Sequence, residues 1–340
     1  MTLIWSFPAI FLSALLLTWA LRRYALKNNL IDLPNGRSSH LVPTPRGGGG
    51  AIVFSFLVFL PLLFGVDVLS FDAFMALFGA GLLVAIVGFL DDHGHIAARW
   101  RLLCHFTAAG WALMWTQGLP PLEGFGFTVD LGWFGNILAA FYLVWLLNLY
   151  NFMDGIDGLA SVEAITVCLG AALLHWLSAP SDVAWTPLLL CFSVAGFCYW
   201  NFPKAKIFMG DASSGFLGIT LGILAIQDGW VSSDLFWGWL ILLGVFIVDA
   251  TFTLARRLLR GDKAYEAHRS HAYQFASREL KSHISVTIGV GLINVLWLLP
   301  IAYLVVSKQI DGAVALLIAY VPLALLAFRF NAGKVEARQE

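Results

Sequence analysis

A run of alternating amides and carboxylates, NLYNFMDGIDGL, is the most specific stretch of the sequence. Asn148, Asn151, Asp154 and Asp157 recur at every third position, and a glycine follows each aspartate. At about 100° per residue, a continuous α-helix would spread these side chains over half of its circumference. The glycines predict instead that a helix ends near Met153 and that the chain then turns. The amides would line the last turn and the carboxylates the loop beyond, as a site for Mg²⁺ or substrate; the alternative is a polar loop with helix caps.

Further carboxylates stand where apolar segments begin or end. Asp91 and Asp92 close one segment, although the helix macrodipole disfavours anions at a helix C-terminus. This placement favours a site for Mg²⁺ or a cationic group over a solvated loop start. Asp211 follows Phe-Met-Gly and precedes another apolar segment, so it is either a helix N-cap or a metal ligand where phosphate also binds. Asp249 lies inside an apolar segment, and structural and functional roles are equally open for it.

Basic groups that could bind phosphate accompany these carboxylates. His268 and His271 lie three residues apart in the loop 256–283 and are predicted to share a helix face, where imidazoles could donate to phosphate. Lys206 stands in the loop before a later apolar segment, and His40 and Arg46 precede consecutive glycines that would let the backbone approach a ligand. The alternative is a set of positively charged loops in contact with anionic lipid, which suits the arginines of 256–283.

The segments that must position these groups are apolar. The chain has 340 residues, of which 59% are hydrophobic and 12% charged, whereas about a quarter of the residues of a soluble domain are charged. This composition predicts an all-α polytopic membrane protein, and the net charge of −1 argues against a nucleic-acid partner. We expect about eleven transmembrane helices, at 3–21, 49–66, 72–90, 102–117, 135–150, 159–177, 186–200, 212–227, 236–256, 284–306 and 312–330.

The basic residues predict the orientation of these spans. With eleven crossings, every Lys and Arg except Lys308 falls in alternate loops or after the last span. The positive-inside rule therefore places the N-terminus in the periplasm, the C-terminus in the cytoplasm and the candidate site at the cytoplasmic face of the inner membrane. Alternating aromatic and polar residues between glycines predict a small periplasmic hairpin near 118–134. We expect one transmembrane domain, 1–330, and a cytoplasmic tail, 331–340.

The chemistry that these groups share is phosphoryl transfer. Carboxylates and amides suit Mg²⁺, and Arg, Lys and His suit phosphates, so that positioning and charge neutralisation could supply most of the catalysis. A body embedded in the bilayer implies that one substrate is a lipid. The rival class is an ion-coupled transporter, but transporters place such groups near the midplane and often have two related halves. Here the groups cluster at one face, and the sequence has no internal repeat.

Four motifs in a fixed order resemble those of a known family. They are DD at 91–92, NxxNxxDGxDGL at 148–159, NFPKAKIFMGD at 201–211 and HRSHAYQ at 268–274. They resemble the polyprenyl-phosphate N-acetylhexosamine-1-phosphate transferases, which include MraY, WecA and WbpL, from about residue 20 to residue 280. The resemblance implies eleven spans and transfer of N-acetylhexosamine-1-phosphate from a UDP-sugar to undecaprenyl phosphate, with release of UMP. Mg²⁺ is the implied cofactor, and Mn²⁺ is an alternative.

The resemblance also implies roles for individual residues. Asp211, with Asp92, is the implied metal ligand, and Asp91 and Asp92 match the family's essential pair. His268 and His271 match the phosphate-binding histidines of the catalytic site. Phe208 matches an aromatic residue that stacks on uracil. From the motifs or from the resemblance, substrate binding is expected for Asn148, Asn151, Asp154, Asp157, Asn201, Phe208, Lys206, His40 and Arg46.

The histidine motif predicts the branch of the family. HRSHAYQ resembles the WbpL-like branch, which initiates O-antigen and related lipopolysaccharide glycans, more than the MraY branch of peptidoglycan synthesis. The alternatives are a peptidoglycan-precursor transferase or another glycan-initiating transferase; the motifs do not name the sugar, and a homodimer is only the family's expectation. Direct attack by the lipid phosphate is favoured over a phospho-enzyme. A phosphate monoester, with a second pKa near 6, is largely dianionic at neutral pH and hardly needs a base.

Overall fold

The computed structural model describes residues 3–34, 42–94, 96–178, 184–262 and 268–335, which are almost entirely helical. The irregular helical turns are a 3₁₀ turn, Leu3–Trp5, and a π-helical turn, Asn294–Leu298. Two short antiparallel ladders pair β1 (Ile31–Asp32) with β2 (Thr44–Pro45) and β3 (Leu122–Gly124) with β4 (Phe127–Val129). The helices are α1 (Ser6–Lys27), α2 (Gly50–Gly65), α3 (Phe71–Gly94), α4 (Ala98–Thr116), α5 (Gly132–Met153), α6 (Leu159–Ser178), α7 (Trp185–Asn201), α8 (Asp211–Val231), α9 (Ser233–Leu242), α10 (Gly244–Leu259), α11 (Ala272–Leu280), α12 (His283–Ile293), α13 (Leu299–Val306) and α14 (Gly312–Arg329).

The helices define a multi-pass membrane protein. Within the described ranges, seven helical segments are long and apolar enough to cross a membrane, or eight if α9 and α10, which meet at 66°, form one bent span. The predicted all-α polytopic fold is therefore confirmed. Each predicted span coincides with a helix or with consecutive helices. Because α2, α4 and α7 fall outside the set of seven, the eleven crossings and their orientation stay predictions.

Helix α8 lies at the centre of the bundle. Of its 18-residue apolar stretch, 83% is buried inside the protein, whereas the corresponding share is 28% in α1 and in α14. Glycines let its neighbours approach closely. A Cβ on Gly88 of α3 would lie only 2.4 Å from the Cα of Ala212, and a Cβ on Gly218 of α8 would lie 2.4 Å from the carbonyl oxygen of Leu146 in α5. The first of these contacts places the end of α3 directly against the start of α8. Functional residues on the two helices are brought together by this packing.

The hairpin predicted near 118–134 is present as β3 and β4. Its two-residue turn, Phe125 and Gly126, has both φ angles positive, at 53° and 79°, which is the backbone that matches the twist of a tight hairpin. The indole N–H of Trp237 donates to the carbonyl oxygen of Glu123 over 2.6 Å and holds the hairpin against α9. The hairpin precedes α5, so it lies at the opposite end of that helix from Asp154.

A buried polar cluster ties α6, α8 and α9 together. The Nε2 atom of His175 lies 2.6 Å from a carboxylate oxygen of Asp228, and the indole N–H of Trp239 donates to the same oxygen. All three side chains are at most 2% exposed. Buried polar groups are costly when they lose their partners, because water cannot replace the lost hydrogen bond.

We expect Asp228→Ala to destabilise the bundle by about 2 kcal/mol, because His175 and the Trp239 indole lose a shared acceptor. The measurement is the thermal midpoint of the detergent-solubilised protein. Asp72→Ala, at an exposed position in the first turn of α3, is the matched control and should leave the midpoint nearly unchanged. Equal midpoints for the two variants would contradict a structural role of the cluster.

Candidate active site

A polar cavity of about 230 Å³ opens where the loops after α5, before α8 and before α2 meet. It brings together many of the residues that the sequence motifs single out. Three further polar lining residues were not predicted: Asp32, Gln274 and His283. The predicted residues that line it are Arg46, Asp92, Asp154, Asp157, Asn201, Phe208 and Asp211.

The carboxylate of Asp92 lies against the N-terminus of α8. Its two oxygens are each 3.4 Å from a backbone nitrogen, one from Asp211 and one from Ala212. The helix N-terminus carries partial positive charge and free N–H groups, so an anion there is favourable. The N-cap is Gly210, at φ 89°, not Asp211. The alternative in which Asp211 serves only as an N-cap is therefore wrong, and its carboxylate, 40% exposed, remains available to the cavity.

Asp91 points away from the large cavity. It accepts the backbone N–H of Ile96 over 2.7 Å and forms an ion pair with the guanidinium of Arg101. Its side chain is only 6% exposed. Arg101 also lies 3.8 Å from the carboxylate of Asp211. The two adjacent aspartates therefore have different contacts. Asp92 contacts the start of α8, and Asp91 pairs with the guanidinium of Arg101, which lies beside Asp211.

Asp211 also lines a second cavity of about 80 Å³, enclosed by α3, α4, α5 and α8. Asn148 and Asn151 lie here, not in the large cavity, and the amide of Asn148 donates to the carbonyl oxygen of Val144 over 2.7 Å. The polar residues that line the second cavity are Asp91, Arg101, His105, Asn148, Asn151 and Asp211.

The loop that follows α5 is held by side chains from α7 and α12. The prediction that the helix ends near Met153 is confirmed, since α5 ends at that residue. Asn201 accepts the Gly158 N–H over 3.0 Å and donates to the Ile207 carbonyl oxygen over 3.1 Å, so its amide joins two loops. The Thr287 hydroxyl donates to the carbonyl oxygen of Asp157 over 2.9 Å. Asn201, only 3% exposed, thus shapes the cavity wall.

The carboxylates of the large cavity repel each other. Burial raises the pKa of Asp154 well above its ordinary value, and the negative charges of Asp211 and Asp92 raise it further. A bound cation would relieve this repulsion and lower that pKa. Among the described residues, no three His, Cys, Asp or Glu side chains form a compact ligand set. Two carboxylates are nevertheless enough for Mg²⁺, which completes its shell with water and substrate phosphates.

The other predicted substrate-binding residues lie in different surroundings. Arg46 lines the cavity and its guanidinium donates to the carbonyl oxygen of Asp92. The ammonium of Lys206 lies 5.4 Å from the ring centroids of both Tyr199 and Trp200, and Lys206 is not among the lining residues of the cavity. His40 lies outside the described residues.

His268 and His271 do not share a helix face, contrary to the prediction. Residues 268–270 are irregular and α11 begins at Ala272, because the carboxylate of Asp249 accepts the N–H groups of Ala272 and Tyr273 over 2.8 and 3.0 Å. This capping fixes the helix start and gives Asp249 a structural role. The two imidazoles still stack, with centroids 5.0 Å apart. Neither lines the large cavity; Gln274, three residues further on, does.

The imidazole of His268 is neutral in this setting. Burial, together with the nearby charges of His271 and Arg257, lowers the pKa of His268 to about 3. Its Nδ1 atom lies 3.0 Å from the Ser270 hydroxyl and accepts the Ser270 backbone N–H over 3.4 Å. An Nδ1 that accepts a hydrogen bond leaves the ring proton on Nε2. The neutral ring thus keeps one donor for an anion.

The unpredicted residues carried weak signals in the sequence. His283 is the last residue of the basic loop 256–283, and its Nδ1 lies 3.3 Å from a carboxylate oxygen of Asp157. Gln274 ends the motif HRSHAYQ, and Asp32 precedes the glycine-rich loop. Their types and positions were visible, but nothing in the local pattern indicated which of them faces the cavity.

The fold and the site define a class: a multi-pass membrane protein with an acidic cavity at one end of its bundle. The model of glycosyl transferase family 4 matches residues 74–228. A probable undecaprenyl-phosphate N-acetylglucosaminyl 1-phosphate transferase of Bacillus subtilis is 29% identical over 80% of this chain and 78% of its own length. A decaprenyl-phosphate N-acetylglucosaminephosphotransferase of Mycobacterium leprae is 30% identical, over 77% and 73%. A phospho-N-acetylmuramoyl-pentapeptide-transferase of Picosynechococcus is 32% identical, over 68% and 65%.

The chain belongs to this family, the polyprenyl-phosphate N-acetylhexosamine-1-phosphate transferases. The family prediction is confirmed, and with it an enzyme that transfers a phospho-sugar. The similarities extend to relatives with different named substrates, so the WbpL-like branch stays a prediction.

Gly210→Ala should lower turnover by roughly tenfold or more, because a Cβ there would lie 3.0 Å from a carboxylate oxygen of Asp92 and because a φ of 89° strains any other residue. Turnover and the thermal midpoint are measured together. Gly94→Ala, which has open space around its Cβ, is the control for the loss of a glycine near this site. Unchanged turnover of the Gly210 variant would show that the placement of Asp92 against α8 does not matter.

Proposed function

We propose that this protein transfers an N-acetylhexosamine-1-phosphate from a UDP-sugar to undecaprenyl phosphate at the cytoplasmic face of the inner membrane. The products are UMP and a lipid-linked sugar that begins a surface glycan of the O-antigen or lipopolysaccharide type. The observation that carries this proposal is the position of Asp211, which lines both a polar cavity among the loops and a second cavity among the membrane helices.

The large cavity suits the UDP-sugar. Phe208 supplies an aromatic face for the uracil, and Asp154 and Asp157 supply acceptors for ribose, base or sugar N–H and O–H groups. The N-terminus of α8 and the guanidinium of Arg46 supply positive potential for a pyrophosphate. The β-phosphorus would then lie near Asp211, at the boundary between the two cavities.

The second cavity suits the phosphate of the lipid acceptor. Arg101 is its cation, and His105 and the amides of Asn148 and Asn151 are its further polar groups. An acceptor that enters between membrane helices can present its phosphate to the β-phosphorus from the side opposite the leaving UMP, as in-line displacement requires. Because the phosphate monoester is already largely dianionic at neutral pH, we favour direct attack. In this step Arg101 positions the nucleophile.

Mg²⁺, with Mn²⁺ as an alternative, fits the carboxylates of Asp92 and Asp211. The support is that both carboxylates line the same cavity beside Asp154, whose pKa is raised by burial and, to a lesser extent, by the negative charges of Asp211 and Asp92. When bound, the ion would neutralise charge on the pyrophosphate. The other roles belong to the chain itself: Asp92 contacts the first turn of α8, and the neutral imidazole of His268 would donate a hydrogen bond from Nε2–H to a phosphate oxygen.

The reaction is tested with a UDP-sugar labelled in the β-phosphate, incubated with undecaprenyl phosphate, Mg²⁺ and purified protein. We expect label in the lipid, as a pyrophosphate-linked sugar, and unlabelled UMP in solution. A glycosyltransferase that attacks the anomeric carbon would instead release labelled UDP, and this outcome would overturn the proposal. A panel of UDP-N-acetylhexosamines, with UDP-N-acetylmuramoyl-pentapeptide, tests the donor and the branch.

Asp211→Asn should lower UMP release by roughly a hundredfold or more, because an anionic ligand that would hold Mg²⁺ beside the reacting phosphates is lost. The helix start should survive, since Gly210 rather than Asp211 is the N-cap. The thermal midpoint verifies folding, and Asp72→Asn is the control for a lost surface carboxylate. Near-normal turnover of the Asp211 variant would remove this residue from the catalytic site.

A further inference from the structure

The chain that follows α14 folds back over residues 268–270, the loop that carries His268. We call residues 330–335 the tail segment. The N–H of Gly333 donates to the carbonyl oxygen of Ser270 over 2.7 Å. Two arginines at the end of α10 also bind the tail segment. Arg256 donates to the carbonyl oxygen of Ala332 over 3.1 Å, and Arg260 donates to the carbonyl oxygen of Gly333 over 2.6 Å. The tail segment thus joins α10 to the loop that carries His268.

The tail segment is packed as well as hydrogen-bonded. Ala332 is fully buried against Ala272 of α11 and Ala327 of α14, with Phe252 and Phe330 around them. Gly333 has a φ of 75°, and a Cβ there would lie 2.9 Å from the Cβ of Arg256 and 3.1 Å from the carbonyl oxygen of Thr253. The close approach therefore requires glycine at this position.

Ser270 connects the tail segment to the imidazole. Its carbonyl oxygen accepts from Gly333, while its hydroxyl and backbone N–H face the Nδ1 atom of His268 at 3.0 and 3.4 Å. Residues 268–270 have no regular secondary structure, so no ladder of backbone hydrogen bonds fixes them. The contacts from the tail segment supply one fixed point for this loop, and the guanidinium of Arg278, which donates to the carbonyl oxygen of Arg269 over 3.2 Å, supplies another.

We propose that the tail segment is a positioning element of the active site, which holds Ser270 so that His268 keeps the orientation and the Nε2–H tautomer that donate to the reacting phosphates. The inference rests on the proposed function, because that function gives His268 its phosphate. It assigns the tail segment a role in turnover and none in binding the nucleotide, which lies in the cavity around Phe208.

The test compares Gly333→Ala, a truncation after Phe330, and two controls. Gly126→Ala has the same kind of positive φ, 79°, but open space around its Cβ, and it lies in the hairpin far from the site. A truncation after Val335 keeps the tail segment. We expect Gly333→Ala and the truncation after Phe330 to lower kcat between roughly ten- and a hundredfold. The KM for the UDP-sugar and the calorimetric Kd of UMP should change less than about twofold. Both controls should behave like the unaltered protein.

A double-mutant cycle with His268→Gln separates positioning from a general structural role. If the tail segment acts through His268, Gly333→Ala should lower kcat much less in the His268→Gln background than alone. Full additivity, or a Kd for UMP that weakens in parallel with kcat, would overturn the proposal. If Gly333→Ala fails to fold, Arg260→Gln removes one tail contact from a partly exposed side chain and takes its place in the cycle. Absence of UMP release from the unaltered protein would instead refute the proposed function itself.

Discussion

The site depends on the contact between the Asp92 carboxylate and the first turn of α8. The end of one helix and the start of another carry partial charges of opposite sign, and an anion between them is favourable on the side of the free N–H groups. Gly88 and Gly210 allow this contact, because a side chain at either position would collide with the opposing atoms. Since Asp92 and Gly210 serve the helix start, Asp211 keeps its carboxylate for the two cavities that it separates.

A second set of contacts holds the loops around this centre. Asn201 joins the loop after α5 to the loop before α8, and Thr287 joins the first of these loops to the N-terminal part of α12. Asp249 fixes the start of α11 from inside α10. These residues are largely buried, and their polar atoms have mostly backbone partners. The cavity wall is therefore rigid because it is tied to the bundle, although much of it consists of loops.

The two cavities lie in different parts of the bundle, one among the loops and the other among the membrane helices. Five carboxylates line the large cavity, whereas only those of Asp91 and Asp211 line the second cavity, among α3, α4, α5 and α8. A water-soluble donor and a lipid acceptor differ in the side from which they can arrive. An enzyme that joins them needs one group at the boundary, and Asp211 occupies that position. Membership of the family and this geometry thus support the same chemistry independently.

The sequence by itself determined the membrane class, the family and the end of α5. Long apolar segments have few structural solutions in a bilayer, because backbone groups must bond within a helix, and the glycines after Asp154 and Asp157 disfavour continuation of a helix. Local spacing could not decide which way each polar side chain points. Asp91 and Asp92 are neighbours that face different cavities, and Lys206 rests on aromatic rings. His271 lies outside α11 because Asp249, from a distant helix, caps the residues after it. His283 and Gln274 join the cavity through packing of α11 and α12 that no local pattern records. These outcomes depend on contacts between residues far apart in the chain, which only the tertiary structure fixes.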